Sequence, residues 1–267
     1  MNILMPMAGA GKRFADAGYK DLKPLILTTE RRDGEKYPMV ICAMRDIPEC
    51  DQEDTRQYFV IRTDYREAIS PKLLQYYPNA KIIGVDHLTE GQACTCLLAK
   101  EYIDNDSELF IAGCDNGMVF DETRFFEAKK NAEVLVFTYR HNDAVMKNPS
   151  AYGWVKTEEH CNKVIDVSVK KAISNNPMED HAIVASFWFR RGLDFVKYAE
   201  EMIAENDRIN GEFYVDQVMH YCVKAGLDVN VFEVDRYLGW GTPKEYEDYE
   251  QTIQYWREFT KSSAFSF

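Results

Sequence analysis

The segment NILMPMAGAGKRF, residues 2–14, decides the fold of this 267-residue chain. Its first half, Asn2–Met7, is apolar and short, which predicts a buried β-strand. Glycines follow at positions 9 and 11, where the lack of a side chain lets the backbone adopt positive φ angles and come close to a ligand. Successive main-chain amides after a strand form an anion-binding site, and Lys12, Arg13 and Lys23 add positive charge to it.

Two common glycine-rich motifs do not fit this turn. A P-loop requires a glycine upstream of its Gly-Lys pair and a serine or threonine after it. Here the upstream positions are Pro6 or Met7, and the following residue is Arg13. The dinucleotide fingerprint requires a third glycine where this chain has Phe14. A strand-to-helix turn that binds no ligand stays open as an alternative.

Short apolar segments alternate with helical segments in the first half of the chain. Strands are predicted at residues 57–62, 81–86, 109–112 and 133–139, and helices from about residue 65, at 92–103 and after a cap at Asp121. Beyond Pro149, consecutive strands at 152–157, 163–169 and 182–190 predict an antiparallel portion, followed by helices near 192–205 and 212–225, a strand at 228–234 and a helix from Pro243. We therefore predict an α/β fold: a three-layer αβα sandwich with a mixed, mostly parallel central sheet, in one domain over residues 1–267.

The charge and composition of the chain exclude several classes of protein. The net charge is −12, and the basic residues form no stripe longer than a pair, so we expect no nucleic-acid partner. Of these pairs, Arg31-Arg32 is predicted to be a solvated surface. No apolar run reaches the roughly 20 residues that span a membrane, and the start lacks the features of a signal peptide. Seven cysteines without a CxxC pair predict free, mostly buried thiols and a cytoplasmic location.

Beyond the glycine-rich turn, the chain resembles the sugar-phosphate nucleotidyltransferases, also called nucleotide-sugar pyrophosphorylases. Their signature is a first strand, G-x-G-x-R, and a Lys-Pro pair about ten residues later. This chain has Gly9-Ala10-Gly11-Lys12-Arg13 and then Lys23-Pro24. Over roughly residues 2–250 the similarity continues, in the family's order, with Glu90-Gly91-Gln92-Ala93, Cys114-Asp115, Tyr152-Gly153, Val169-Lys170-Lys171, Gly211-Glu212-Phe213-Tyr214 and Gly241-Thr242-Pro243.

The resemblance implies a Rossmann-like nucleotidyltransferase fold whose residues 1–140 bind a nucleotide and whose residues 141–267 bind an acceptor. The implied reaction transfers a nucleoside monophosphate from a nucleoside triphosphate to a phosphorylated small molecule with release of pyrophosphate, in nucleotide-sugar biosynthesis for a capsule or cell-surface polysaccharide. The implied cofactor is Mg²⁺. The implied roles are catalysis by Arg13 and Lys23; nucleotide binding by Ala8, Gly9, Ala10, Gly11, Lys12, Gly91 and Gln92; acceptor binding by Tyr152, Gly153, Lys170, Lys171 and Glu212; and metal binding by Asp115.

Two positions depart from the family pattern. Gly239 stands where the family has a second metal-binding aspartate, and we expect Asp235 to replace it. Lys170 stands where the family has a glutamate that binds sugar hydroxyls, and a lysine cannot accept hydrogen bonds. The acceptor can therefore be a sugar 1-phosphate, an acidic sugar phosphate or a non-sugar phosphate of the kind that cytidylyltransferases use. Asp216 is predicted to be solvated.

Two other functions stay open. A glycosyltransferase that consumes a nucleotide sugar shares a related fold, but it usually has an Asp-x-Asp motif where this chain has Asp115-Asn116-Gly117. It also has no use for Arg13 and Lys23 as triphosphate contacts. A nucleotide-binding regulator that has lost catalysis would explain Gly239. The sequence leaves the base, the acceptor and the choice between a monomer and a homo-oligomer open.

Overall fold

Thirteen strands and ten α-helices form over residues 1–263, which the computed structural model describes, with side chains described for residues 1–260. The strands are β1 (Asn2–Pro6), β2 (Leu27–Thr29), β3 (Lys36–Pro38), β4 (Arg56–Arg62), β5 (Lys81–Val85), β6 (Leu109–Ala112), β7 (Asn116–Val119), β8 (Val134–Tyr139), β9 (Gly153–Thr157), β10 (Val164–Val169), β11 (His181–Phe189), β12 (Val229–Glu233) and β13 (Arg236–Gly239). The helices are α1 (Lys12–Asp16), α2 (Met39–Arg45), α3 (Arg66–Tyr76), α4 (Gln92–Leu97), α5 (Lys100–Ile103), α6 (Glu122–Lys130), α7 (Ala144–Lys147), α8 (Gly192–Ala204), α9 (Val215–Lys224) and α10 (Pro243–Ser263). Short 3₁₀ turns lie at Lys23–Leu25, Thr63–Tyr65 and Pro149–Ala151.

Nine of these strands form one mixed sheet. Its order is β10-β9-β11-β6-β1-β4-β5, and β8 and β12 extend it from β11. The pairings run β1, β4, β5, β6, β8, β9 and β12 in one direction, and β10 and β11 in the other. The sheet is therefore mostly parallel, as predicted, and strands from both halves of the chain share it.

Helices cover both faces of this sheet. Alternate residues of β1 point to opposite faces, so that Ile3 and Met5 join one core and Leu4 joins the other. The first core packs against α2, α3, α6 and α10, and the second against α4, α5, α8 and α9. Residues 3–5 are fully buried, which explains why β1 has no polar alternation. The predicted three-layer sandwich is confirmed.

Most predicted elements form within a few residues of their expected bounds. Asp121 caps α6 as expected, because its side chain accepts a hydrogen bond from the Thr123 amide at 2.8 Å. The sequence pattern missed α2 and two short ribbons, β2 with β3 and β7 with β13. Along residues 1–263, no helix is both long enough and apolar enough to cross a lipid bilayer. The seven cysteines are free, and four are buried.

Candidate active site

The turn after β1 presents a run of unpaired main-chain amides. We call residues 8–13 the amide loop. None of its six amide N–H groups donates a hydrogen bond to an acceptor within the described part of the chain. Gly11 has a φ of 60°, a left-handed conformation that favours glycine, and a Cβ added at Gly9 would enter open space. Most of the loop is exposed, so these amides are accessible and the loop is suited to bind an anion from outside the chain.

Three cations lie beside the amide loop, as the sequence predicted. Lys12 and Arg13 are exposed, and within residues 1–260 their side chains form neither a hydrogen bond nor an ion pair. Lys23 is the first residue of a 3₁₀ turn, Lys23–Leu25, whose second residue is Pro24. Its Nζ donates to Asp115 Oδ2 at 2.6 Å and to the carbonyl oxygen of Gly241 at 3.2 Å. Lys23 therefore links the first strand's turn to two distant parts of the chain.

A cavity of about 230 Å³ opens between the amide loop and the ends of the neighbouring strands. Lys23, Gln92 and Asp115 border it together with residues of the loop. It lies at the carboxyl ends of parallel strands, where open α/β sheets bind their ligands. A larger groove of about 540 Å³ runs along α10 and contains none of the predicted site residues.

Gly91 brings Gln92 to this cavity through a close backbone contact. The φ of Gly91 is 136°, and a Cβ there would lie 2.5 Å from the main-chain nitrogen of Phe213. Two hydrogen bonds on either side of Gly91 hold this contact together. Phe213 N donates to Glu90 O at 2.8 Å, and Ala93 N donates to Phe213 O at 3.0 Å. The two predicted motifs at 90–93 and 211–214 therefore meet, and only glycine fits between them.

A bulge in β11 adds a residue that the sequence did not predict. The register of β11 against β8 shifts between Ile183 and Phe187, and Ala185 adopts a φ of 60°. Its carbonyl oxygen accepts a hydrogen bond from the Gly113 amide at 3.2 Å, and Ala185 borders the cavity. Left-handed alanine is a strained conformation, and bulges of this kind often lie next to active sites. No residue type in this segment signals the bulge.

A buried ion pair fixes the ribbon of β7 and β13, which carries Asp115 at its end. The Asp46 side chain accepts hydrogen bonds from Arg31 at 2.5 Å, from Arg32 at 2.9 Å and from the Met118 amide at 2.8 Å. Burial raises the pKa of the Asp46 carboxyl, and Arg31 opposes that shift. The prediction that Arg31-Arg32 is a solvated surface is wrong for Arg31, whose side chain is 20% exposed and paired with the buried Asp46. Arg32 is 48% exposed, although it also binds Asp46.

Two carboxylates face the glycines that end this ribbon. A Cβ at Gly241 would lie 3.5 Å from Asp115 Oδ2 and 3.5 Å from Glu245 Oε2. Tyr237 lies beside both carboxylates; burial, Asp115 and Glu245 raise its pKa well above the ordinary value. Among the described residues, no group of three or more His, Cys, Asp or Glu side chains is arranged to hold a metal ion.

Asp235 does not join Asp115, in contrast to the prediction from the sequence. In the ribbon, Gly239 pairs with Asn116, whereas Arg236 pairs with Val119 at the opposite end. Asp235 precedes that far end and binds Arg124 at 2.6 Å. The register of the two strands therefore keeps it away from Asp115, and we do not assign it to a metal.

Three of the predicted acceptor residues, Tyr152, Gly153 and Lys170, lie at the ends of β9 and β10. Tyr152 lies near Tyr139, whose ring stacks on Tyr237 at 4.5 Å between centroids. The Lys170 amide donates to the Tyr152 carbonyl at 2.9 Å, and its side chain binds the Ala151 carbonyl oxygen. Tyr139, Tyr152 and Lys170 thus form a continuous edge beside Tyr237.

The remaining predicted acceptor residues differ in their positions. Lys170 Nζ lies 5.2 Å from the ring centre of Tyr214. Burial and the carboxylate of Glu212 raise the pKa of Tyr214 to about 12. Lys171 is exposed, and the only contact shown for it within residues 1–260 is from Ser168 Oγ to its carbonyl oxygen at 2.7 Å. The structure therefore brings Lys170 and Glu212 near Tyr214 but leaves Lys171 apart.

Asp216 is buried rather than solvated, which corrects the prediction from the sequence. Only 8% of its surface is exposed, and a Cβ at Gly153 would clash with its carboxylate. Burial raises the pKa of Asp216 to about 6, and the charge of Lys170 opposes part of that shift. Gly153 is therefore needed for close packing on Asp216, next to Tyr152.

Comparison with protein-family models and with curated proteins gives no match, but solved structures are similar over nearly the whole chain. A nucleoside-diphosphate-sugar pyrophosphorylase from Vibrio cholerae RC9 has a TM-score of 0.74 at 20% identity, covering 93% of this chain and 99% of its own. The inositol-1-phosphate CTP transferase from T. maritima has a TM-score of 0.67 at 17% identity, covering 95% of both chains. A protein described as a glucose-1-phosphate thymidylyltransferase from Bacillus anthracis, solved with a sucrose, has a TM-score of 0.67 at 15% identity, covering 94% of both chains. At these identities the similarity establishes the fold, which is the Rossmann-like fold of these proteins.

Proposed function

We propose that this chain is a Mg²⁺-dependent nucleotidyltransferase that transfers a nucleoside monophosphate from a nucleoside triphosphate to a phosphorylated small molecule. The observation that carries this proposal is the amide loop: six consecutive amides with no acceptor among the described residues, beside Lys12, Arg13 and Lys23, at the end of β1. A polyphosphate tail is the anion whose charge and length suit such a loop. The names of the structural neighbours, which include two nucleotidyl transferases, support the same class of reaction.

The reaction needs positioning and charge rather than a general base. An oxygen of the acceptor phosphate is already anionic at neutral pH, and it attacks the α-phosphorus of the triphosphate. The bond between that phosphorus and the oxygen that bridges to the β-phosphate breaks, and pyrophosphate leaves with the electron pair. The protein has to hold the two oxygens in line and offset the charge of the transition state.

The residues of the site divide this work. The amide loop and Arg13 hold the β- and γ-phosphates, and Lys23 offsets charge on the α-phosphate. Asp115, a hard oxygen ligand whose side chain is 34% exposed and borders the cavity, suits Mg²⁺. When bound there, Mg²⁺ supplies further charge to the phosphates. Lys23 remains hydrogen-bonded to Asp115 and Gly241, so it is positioned before a nucleotide arrives.

The two halves of the chain take the two substrates. In residues 1–140, Gly91 and Gln92 contact the nucleobase at the edge of the cavity. In residues 141–267, Tyr152, Gly153, Lys170, Lys171 and Glu212 bind the acceptor. Because Lys170 brings positive charge to this side, the acceptor is an acidic sugar phosphate or a non-sugar phosphate rather than the 1-phosphate of an uncharged hexose. An inositol phosphate, the acceptor named for one structural neighbour, belongs to the same chemical range.

A screen for pyrophosphate release tests the proposal. ATP, CTP, GTP and UTP are each incubated with Mg²⁺ and with a panel of sugar phosphates, inositol phosphate, phosphocholine and other phosphorylated small molecules. We expect pyrophosphate only when one triphosphate and one acceptor are both present. Arg13→Ala should lose this activity, whereas Lys20→Ala, at an exposed lysine outside the cavity, should keep it.

Two results would contradict the proposal. Transfer or hydrolysis of a nucleotide sugar without pyrophosphate release from any pair would identify a glycosyltransferase. Tight binding of a triphosphate without turnover against the whole panel would identify a nucleotide-binding regulator.

A further inference from the structure

Gly241 leaves a space that two carboxylates border. A Cβ added at Gly241 would lie 3.5 Å from Asp115 Oδ2 and 3.5 Å from Glu245 Oε2. Gly239, two residues earlier, is more crowded: a Cβ there would lie 3.1 Å from Tyr237 Cε1 and 3.5 Å from Glu245 Cδ. The bare Cα at Gly241 therefore lets the carboxylate groups of two separate elements, the start of β7 and the first turn of α10, approach the same space.

Glu245 is held in place without using both of its oxygens. Its Oε2 accepts hydrogen bonds from Thr242 N and Thr242 Oγ1, both at 2.9 Å, and the Glu245 amide donates to Thr242 Oγ1 at 3.3 Å. These are the reciprocal bonds of a capping box at a helix start. Its Oε1 accepts no hydrogen bond within residues 1–260. Oε2 thus fixes the side chain and also borders the space at Gly241, and Oε1 has no hydrogen-bond partner among the described residues.

The surroundings concentrate negative charge that the chain does not balance. Lys23 binds Asp115, but Glu245 has no cationic partner within the described residues. Tyr139, Tyr152 and Tyr237 line this side, and the charge of Glu245 contributes, after burial, to raising the pKa of each of these hydroxyls. The Tyr139 hydroxyl is buried and makes no hydrogen bond in the described chain. The carboxylates of Asp115 and Glu245 outnumber the one neighbouring cation, Lys23, and carboxylate oxygens are ligands that suit a divalent cation.

We propose that Glu245 and Asp115 together hold the divalent cation of the reaction, with phosphate oxygens of the bound triphosphate and water completing its coordination. This assignment rests on the proposed nucleotidyl transfer. Mg²⁺ is commonly bound by one or two carboxylates together with substrate phosphates, so two protein ligands are sufficient. Glu245 reaches the site from α10, whereas Asp235 is bound to Arg124 at the other end of the ribbon.

Direct measurement of Mn²⁺ binding tests this assignment. Mn²⁺, a stand-in for Mg²⁺ that electron paramagnetic resonance detects, is titrated into the protein alone and with each of the α,β-methylene analogues of ATP, CTP, GTP and UTP. We expect one analogue to tighten Mn²⁺ binding to the wild type. In that complex, Glu245→Gln should weaken Mn²⁺ binding at least tenfold, because it removes the charge but keeps a capping-box side chain. Asp248→Asn, on the same helix and paired with Lys244, should bind Mn²⁺ like the wild type.

Gly241→Ala is a second variant that changes no charge. The added methyl group makes only ordinary contacts, so the fold should tolerate it, but it occupies the space between the two carboxylates. We expect weaker Mn²⁺ binding and an unchanged melting temperature.

The assignment is overturned if Glu245→Gln binds Mn²⁺ as tightly as the wild type, or if no analogue tightens Mn²⁺ binding to the wild type. Pyrophosphate release separates this result from a failure of the proposed function. A wild type that releases pyrophosphate while Glu245→Gln keeps its Mn²⁺ affinity rejects Glu245 alone, whereas the absence of pyrophosphate from every pair rejects nucleotidyl transfer.

Discussion

The two ends of the site differ in whether their charged and polar groups already have partners within the chain. At the amide loop, six N–H groups and the side chains of Lys12 and Arg13 have no partners in the described chain. At the acceptor end, formed by Tyr152, Gly153, Lys170 and Glu212, Lys170 already binds the Ala151 carbonyl oxygen and lies over the Tyr214 ring. Under the proposed function, the loop offers its full charge to an incoming anion, whereas an acceptor has to replace contacts that the chain already makes. We therefore expect general affinity to come from the first end and selection among acceptors from the second.

The largest effect is expected at the loop end. Lys23→Ala removes the cation that lies between the amide loop and Asp115, so the transition state loses a charge contact worth about 3–4 kcal/mol. We expect kcat/KM for pyrophosphate release to fall about 10²–10³-fold. Steady-state kinetics with saturating acceptor would measure it. A fall of less than tenfold would show that Lys23 only links Asp115 to Gly241, and Lys20→Ala serves as the control.

An effect on stability is expected beneath the acceptor end. The folded chain holds the pKa of Asp216 at about 6, above the value of about 4 in an unfolded chain. The folded state therefore binds the proton more tightly, so this group adds stability as the pH falls through 6 and costs stability above it. Asp216→Asn should make the protein more stable than the wild type by up to about 3 kcal/mol at pH 8. Most of this difference should disappear by pH 4.5.

Urea unfolding of both proteins at the two pH values would measure this difference, because the other titrating groups are common to both and cancel. Equal stability differences at pH 8 and pH 4.5 would contradict the raised pKa. A lower stability of Asp216→Asn at both values would show that Lys170 stabilises the charged carboxylate more than burial destabilises it.

The smallest effect is expected for Lys170 itself. Lys170 has a φ of 58°, so Lys170→Asn is the suitable variant, because asparagine tolerates this conformation. We expect the KM for the acceptor to rise about tenfold, equivalent to about 1.4 kcal/mol, while the KM for the triphosphate is unchanged. Kinetics with each substrate varied in turn would show this, with Lys156→Ala on the outer part of β9 as the control. Equal increases in both KM values would contradict the division between the two ends.

The sequence predicts the loop end well because its parts are adjacent in the chain. An apolar strand, the glycines at 9 and 11 and the cations Lys12, Arg13 and Lys23 lie within residues 2–23, and local patterns of this kind need no knowledge of pairing. The main strands and helices were predictable for the same reason. The short strands β2, β3, β7 and β13 were not, since their residues form no continuous apolar run, unlike the four apolar residues of β6.

The rest of the site depends on contacts between distant residues. The motif Thr242-x-x-Glu245 predicts where a helix starts, but not that its carboxylate borders the same space as Asp115. Asp235 was favoured because it is close to Gly239 in sequence, and the strand register places it at the wrong end. The bulge at Ala185 depends on the pairing of β11 with β8, and the burial of Asp216 depends on its packing against Gly153. Neither contact can be predicted from a local sequence pattern.

The hydrogen bond from Lys23 to the Gly241 carbonyl oxygen also determines how late in translation the site can be completed. A ribosome synthesises the amide loop and Lys23 first, then Asp115, and reaches Gly241 only after β13. A nascent chain that ends before β13 has a β7 strand with no partner and a Lys23 side chain without its Gly241 contact. These contacts therefore form only after β13 and Gly241 have left the exit tunnel.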